Sequence, residues 1–254
     1  MRPKESTGTA IPKSEASRRF AATRRGAGRL VSHPLTEWGA SRIVWVGTPR
    51  PRDGRDAMSD KKLLFVNACV NKSTSRTLRI ASRLLELLKE SYVIEELDLE
   101  HLDIRPLDSQ QLNERLALLA RGELLDPSFI LARQFANADC VVVAAPYWDF
   151  GFPAMLKVYI ENISVTGISY RYGERGQTVG LCKAERLYYV TTRGGLVTDE
   201  DDLGYRTLEG MGRIYGIKDI RCMSARGLDI VTVDADEEVS RAIDEKVSAP
   251  GALT

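Results

Sequence analysis

Asp139–Ala145 reads DCVVVAA, a short apolar run with no polar alternation. Such a run suits a strand covered on both faces, as in a parallel sheet between two layers of helices. Four further runs share this character: Leu63–Asn67, Tyr92–Leu99, Arg186–Thr192 and Asp219–Ala225. Helical stretches separate them. Thr74–Lys89 carries Leu78, Ala81, Leu85 and Leu88 on one face, and Gln110–Arg121 is leucine-rich. Asp126 and Pro127 supply an N-cap and a first-turn proline for a helix over Pro127–Ala138. Further helices are expected from Pro153 to about Ile163, over Leu203–Tyr215 ending at Gly216, and over Ala235–Val247. Five strands alternating with helices predict a three-layer α/β sandwich with a five-stranded parallel sheet. Ligands of such sheets sit beyond the carboxyl ends of the strands, so function is expected in the loops after strands one, three and four.

Composition narrows the classes. No apolar run reaches the roughly 18–20 residues that span a bilayer, so no membrane partner is expected. Cys69, Cys140, Cys182 and Cys222 form no CxxC pair and read as reduced thiols of a cytoplasmic protein. With only His33 and His101, there is little material for a histidine metal site or a Ser-His-Asp triad, and no metal is expected. Charge divides the chain. Residues 1–57 hold twelve Lys and Arg against five Asp and Glu, whereas residues 58–254 are net acidic. The basic segment lacks the aromatic interleaving of a nucleic-acid arm, and Glu5, Glu15 and Glu37 argue against a transit peptide. It reads as a disordered extension or a non-native upstream start, with at most a short strand at Ser41–Gly47. Residues 58–254 form the folded domain.

Each of the three loops has two readings. After strand one, Ser73, Thr74, Ser75, Arg76 and Thr77 open a helix. They make either a phosphate cradle of hydroxyls, amides and a guanidinium, or an ordinary Ser/Thr cap. The loop is neither G-x-x-x-x-G-K-[ST] nor G-x-G-x-x-G. After strand three, Pro146, Tyr147, Trp148, Asp149, Phe150, Gly151 and Phe152 place four aromatics in six residues. They suit a flat heterocycle, or a hydrophobic plug or subunit interface. After strand four, Thr192, Arg193, Gly194 and Gly195 either let backbone approach a ligand closely or form a flexible turn. Together the loops describe phosphate at one end and a flat ring at the other, the shape of FMN.

Residues 62–248 resemble the FMN-dependent NADH:quinone oxidoreductases and azoreductases of the flavodoxin-like fold. The resemblance lies in Ser73–Thr77, in Ala145–Ile160 (APYWDFGFPAMLKVYI), in Gly167–Tyr172 (GISYRY), in Gly180–Lys183 with Thr192–Gly195, and in Tyr215–Asp219 (YGIKD). It implies a sheet of order 2-1-3-4-5 and an FMN-binding domain over 58–254. It assigns the phosphate to Ser73, Thr74, Ser75 and Arg76, the isoalloxazine to Pro146, Tyr147, Trp148, Asp149 and Phe150, and the ring's other edge to Thr192, Arg193, Gly194 and Gly195. Three positions depart from the family: Asp149 where Asn is usual, Val197 where azoreductases often carry His, and Ala68 in place of an early serine. A carboxylate at Asp149 facing the ring would lower the flavin potential.

The implied activity is ping-pong two-electron transfer from NADH or NADPH, through FMN, to a quinone or azo compound. Trp148, Asp149 and Phe150 would form the reacting face, and no acid or base residue is required. The resemblance also implies a homodimer, with the aromatic loop and Ile163–Tyr172 as candidate interface. The alternatives are a flavodoxin-type electron carrier without NAD(P)H turnover, or a flavodoxin-like module that has lost FMN.

Overall fold

The computed structural model describes residues 61–248. The expectations for residues 1–57, including a strand at Ser41–Gly47, lie outside the described residues.

Five strands form one parallel sheet: β1 (Lys62–Asn67), β2 (Val93–Asp98), β3 (Cys140–Ala144), β6 (Arg186–Thr192) and β7 (Asp219–Ala225). Their spatial order is β2-β1-β3-β6-β7. That is the expected 2-1-3-4-5, because β4 (Tyr170–Tyr172) and β5 (Thr178–Gly180) pair with each other as a separate antiparallel ribbon. The ribbon was not read from the sequence as strands. Three residues a side are too short to show the two-residue alternation that marks a strand.

All five residues of β3 are buried, which explains its unbroken apolar run. On one face of the sheet, Val141, Val143 and Tyr189 pack with Phe135, Leu156 and Leu208. These come from α3 (Ile130–Asn137), α4 (Ala154–Ile163) and α5 (Leu203–Tyr215). On the other face, Val142 and Val190 pack with Ile80, Leu84 and Val239 from α1 (Arg76–Leu88) and α6 (Ala235–Ala242). The stripe of α1 is rotated from the expected one. Thr77, Ile80, Ala81, Leu84 and Leu88 are buried, while Leu78 and Leu85 lie at its margin.

Two helices differ in detail from expectation. Asp126 caps a 3₁₀ turn at Pro127–Phe129, and α3 proper begins at Ile130. The closing helix turns into a π-helical stretch over Ile243–Val247. α5 ends as expected at Gly216, whose φ of 88° is the left-handed cap that glycine supplies without strain. α2 (Ser109–Ala120) opens with a capping box between Asp108 and Gln111, and buries none of its residues.

Register sets the position of the site. Asn67 pairs with Ala144 and Ala144 with Val190, so β1 and β3 end together, level with Val190 of β6. β6 and β7 run two residues further, to Thr192 and Ala225.

Candidate functional site

Thr192, the last residue of β6, joins the three loops. Its hydroxyl lies 2.6 Å from the hydroxyl of Thr77 in the first turn of α1, and its carbonyl accepts from the Tyr147 amide at 3.1 Å. The expected loops therefore meet at one sheet edge.

The loop after β1 is shaped by local bonds. The Asn67 side chain accepts from the Cys69 amide at 3.0 Å, and Asn71, at φ 51°, accepts from the Thr74 amide. Ser75 is the N-cap of α1, accepting from the Leu78 amide at 3.1 Å, so its oxygen fills the capping role that its position suggested. The Arg76 and Thr77 amides stand at the helix start, where no carbonyl four residues back is available. The first turn carries no acidic residue. The Arg76 guanidinium reaches the Leu228 carbonyl at 3.4 Å and Asp229 at 3.5 Å. Ser73–Arg76, Lys72 and Arg79 line a pocket of ≈ 410 Å³. Open amides and the positive end of the helix dipole favour an anion here, while the three cations are already paired, Arg76 with Asp229, Lys72 with acidic neighbours, and Arg79 with Asp236, which also lines the pocket. Lys72, which the sequence did not single out, also pairs with Asp98 and Glu100, and Asp98 holds the exposed His101 ring at 2.8 Å.

The loop after β3 closes in a tight turn. Trp148 and Gly151 exchange backbone hydrogen bonds at 3.2 and 2.8 Å, around Asp149 at φ 48° and Phe150 at φ 65°. Left-handed backbone costs an L-residue roughly 1–2 kcal/mol, and two in succession are normally Asn-Gly or similar. The strain holds two aromatic side chains outward: Trp148 is 45% exposed and Phe150 73%. Phe152, by contrast, packs against the core beside α4. The Tyr147 phenol is pushed up by burial and by the nearby Asp202 carboxylate.

The loop after β6 holds its glycines for different reasons. A Cβ on Gly194 would lie 2.1 Å from Asp229, whereas a Cβ on Gly195 would meet nothing within 4 Å. The Gly194 and Gly195 carbonyls accept from the Asp229 and Gly227 amides at 3.0 and 2.8 Å. The loop after β7, Arg226–Asp229, thus supports the site, and the sequence reading missed it. The signal was its place at the carboxyl end of the fifth strand. Arg193 belongs to this loop by its backbone only. Its side chain is 1% exposed and turned onto Asp202 and Asp199, so it does not reach the loop's open side.

The residues present fit an FMN-shaped ligand: anion-binding amides at one end, exposed aromatics at the other, and unfilled space at Gly195. All four cysteines are free.

Residues 61–248 match the family model described as "Flavodoxin-like fold". The chain is 31% identical over 192 residues to the FMN-dependent NADH:quinone oxidoreductase of Clostridium perfringens, covering 74% of this chain and 96% of that protein. It is 33% identical over 192 residues to the enzyme of the same name from Clostridium beijerinckii, covering 72% and 95%. Among solved structures, the FMN-dependent NADH-azoreductase from Bacillus anthracis str. Ames Ancestor, in complex with FMN, superposes with a TM-score of 0.63 at 25% identity over 73% of this chain and 95% of that one. An azoreductase from Bacillus anthracis str. Sterne gives 0.65 at 21% identity, over 73% and 96%.

Proposed function

The chain belongs to the flavodoxin-like fold family, in the branch of the FMN-dependent NADH:quinone oxidoreductases and azoreductases, and from that membership we propose that it uses NADH or NADPH to reduce quinones or azo compounds. The observation that carries this reading is the meeting of three ligand-shaped loops at Thr192. FMN, when bound, supplies the two-electron chemistry between the nicotinamide and the acceptor in a ping-pong sequence.

The chain's own residues bind and orient. Ser73, Thr74, Ser75 and Arg76, with the open amides of α1, hold the phosphate. Pro146, Tyr147, Trp148, Asp149 and Phe150 line the ring. Thr192, Gly194 and Gly195 close its other edge, with Arg193 present there as backbone. Trp148 and Phe150 stack flat substrates on the open face and keep water from it. The backbone amides of the Asp149–Phe150 turn, and those of Gly194–Gly195, stabilise negative charge on the ring.

The protein is proposed to act as a homodimer, in which a second copy covers the exposed aromatics. Of the Ile163–Tyr172 segment, Ile163, Val165 and Ser169 are buried within the chain, which leaves its exposed part, such as Arg171 and Tyr172, for that interface. Among the described residues no helix is long and apolar enough to cross a membrane. Four free thiols suit the reducing cytoplasm.

The test is an anaerobic visible spectrum of the chain reconstituted with FMN. Bleaching on addition of NADH or NADPH, and recovery on addition of a quinone, are the expected results. A yellow protein that neither nucleotide bleaches would be a carrier. A colourless one would be a module without flavin.

A further inference from the structure

Arg193 stands between the end of β6 and the Gly194–Gly195 pair. Its guanidinium enters the space between β7 and the start of α5. There Nε donates to Asp202 Oδ2 at 2.9 Å and Nη1 donates to Asp199 Oδ1 at 2.6 Å. Asp202 is fully buried. Its other oxygen, Oδ1, accepts from the Tyr205 amide at 3.0 Å and caps α5. Asp199 is held in turn by the Ser224 hydroxyl at 2.8 Å and by Lys246 at 3.4 Å. One side chain thus ties the ring-edge loop to α5, to β7 and to the closing helix.

The start of α5 also lies against the aromatic loop. A Cβ on Gly204 would sit 3.0 Å from both Phe152 and Asp202, so any larger residue there would push on both. The network makes no hydrogen bond to Ser73–Arg76 among the described residues.

Buried ion pairs add little net stability, because desolvation offsets attraction. They do define geometry, and a planar fork shared between two carboxylates does so more strictly than a lone ammonium. We propose that Arg193 and Asp202 are positioning residues that set the Gly194–Gly195 backbone against the flavin ring, acting through the loop and not by contact with the ring. This rests on the reading of the site as an FMN site. It requires that ring seating, and not phosphate seating, depend on the pair.

The test uses the full chain carrying Asp202→Asn. The amide keeps an oxygen to cap α5 but turns an N–H donor toward the Arg193 fork. FMN and riboflavin, which differ by the phosphate, are titrated by flavin fluorescence, and the visible circular dichroism of each bound ring is recorded. Both affinities should fall by about tenfold with their ratio unchanged, and the ring's dichroism should change. Unchanged affinities and dichroism overturn the proposal, as does a loss confined to FMN. Arg193→Lys keeps the charge without the fork and should behave like Asp202→Asn; wild-type behaviour would overturn the role of the fork. If Asp202→Asn does not fold, Asp199→Asn, at the half-buried edge of the network, should show the same pattern at smaller amplitude. Wild-type protein that binds neither flavin overturns the FMN reading itself, before any variant is compared.

Discussion

At the residue scale the most informative position is Phe150. It has a left-handed backbone, and its side chain is largely exposed, so its ring contributes little to packing. Glycine there would relieve roughly 1–2 kcal/mol of backbone strain, set against about 0.5–1 kcal/mol of added chain entropy in the unfolded state. Phe150→Gly should therefore stabilise the fold by about 0.5–1 kcal/mol, raising Tm by a few degrees in a domain of this size. The same change removes a stacking surface for flat acceptors. Turnover with an aromatic quinone should fall several-fold, while a small inorganic oxidant such as ferricyanide should be little affected. A lower Tm would mean that the turn is not strained in solution, and equal losses with both oxidants would remove Phe150 from the acceptor face. Asp149 has the same left-handed backbone, which Asn, the residue usual in the family, also tolerates.

Elements explain what residues alone do not. The network that ties β6, α5, β7 and the closing helix is electrostatic, so it responds to acid. Burial pushes the Asp199 carboxyl up, but hydrogen bonds from Arg193 and Ser224, with Lys246 nearby, outweigh it and hold the pKa at about 2. The folded value lies below the ordinary 3.8, so the stability it confers is complete well above pH 4 and fades as pH falls toward 2. That contribution is about 1–2 kcal/mol, with roughly half of it lost by pH 3. Asp199→Asn should be less stable than wild type at pH 6, and the gap should narrow by pH 3. Chemical unfolding curves at the two pH values measure it. A gap that stays constant would mean that Asp199 is not held charged by this network. Arg193 also shows where sequence reading stopped. Its place beside Gly194 and Gly195 suggested a ligand contact, and nothing local announced that Asp199 and Asp202, six and nine residues on, would take the side chain inward. The five strands and the α5 boundaries were legible, because continuous apolar runs, a helical stripe and a glycine stop are local signals, whereas the sheet order followed from the family resemblance and not from any local signal. The β4–β5 ribbon was not legible, because its strands are too short to show alternation, and the loop at Gly227–Asp229 was marked only by its place after the fifth strand.

For the whole molecule, the remaining matter is what covers its exposed apolar surface. α2 buries no residue, and Leu112 and Leu116, one turn apart, are exposed on it. Leu125 and Ile130 are exposed on the segment that follows. α2 is nonetheless anchored: Arg115 donates to the Glu161 and Asn162 carbonyls at 3.1 and 2.7 Å, and Leu118 and Leu119 pack toward Phe129 and Val165. An anchored helix that leaves leucines in water fits a chain whose working form is the proposed homodimer. In a two-fold interface each residue counts twice, once for each copy. Burying a fully exposed leucine contributes about 1.5–3 kcal/mol, and Leu116 has about half of its surface left to bury, so losing it from both copies removes about 1.5–3 kcal/mol, or about 10- to 100-fold in dimer affinity. Sedimentation equilibrium should find wild type at twice the chain mass and Leu116→Glu near the mass of one chain at the same low-micromolar concentration. Because Arg115 and the core contacts of α2 are untouched, the variant should unfold at nearly the same temperature when both are compared as monomers. If Leu116→Glu stays dimeric, α2 lies outside the interface and the exposed Trp148–Phe150 loop becomes the face to test. If wild type is itself a monomer, the exposed leucines need another partner and the homodimer is lost.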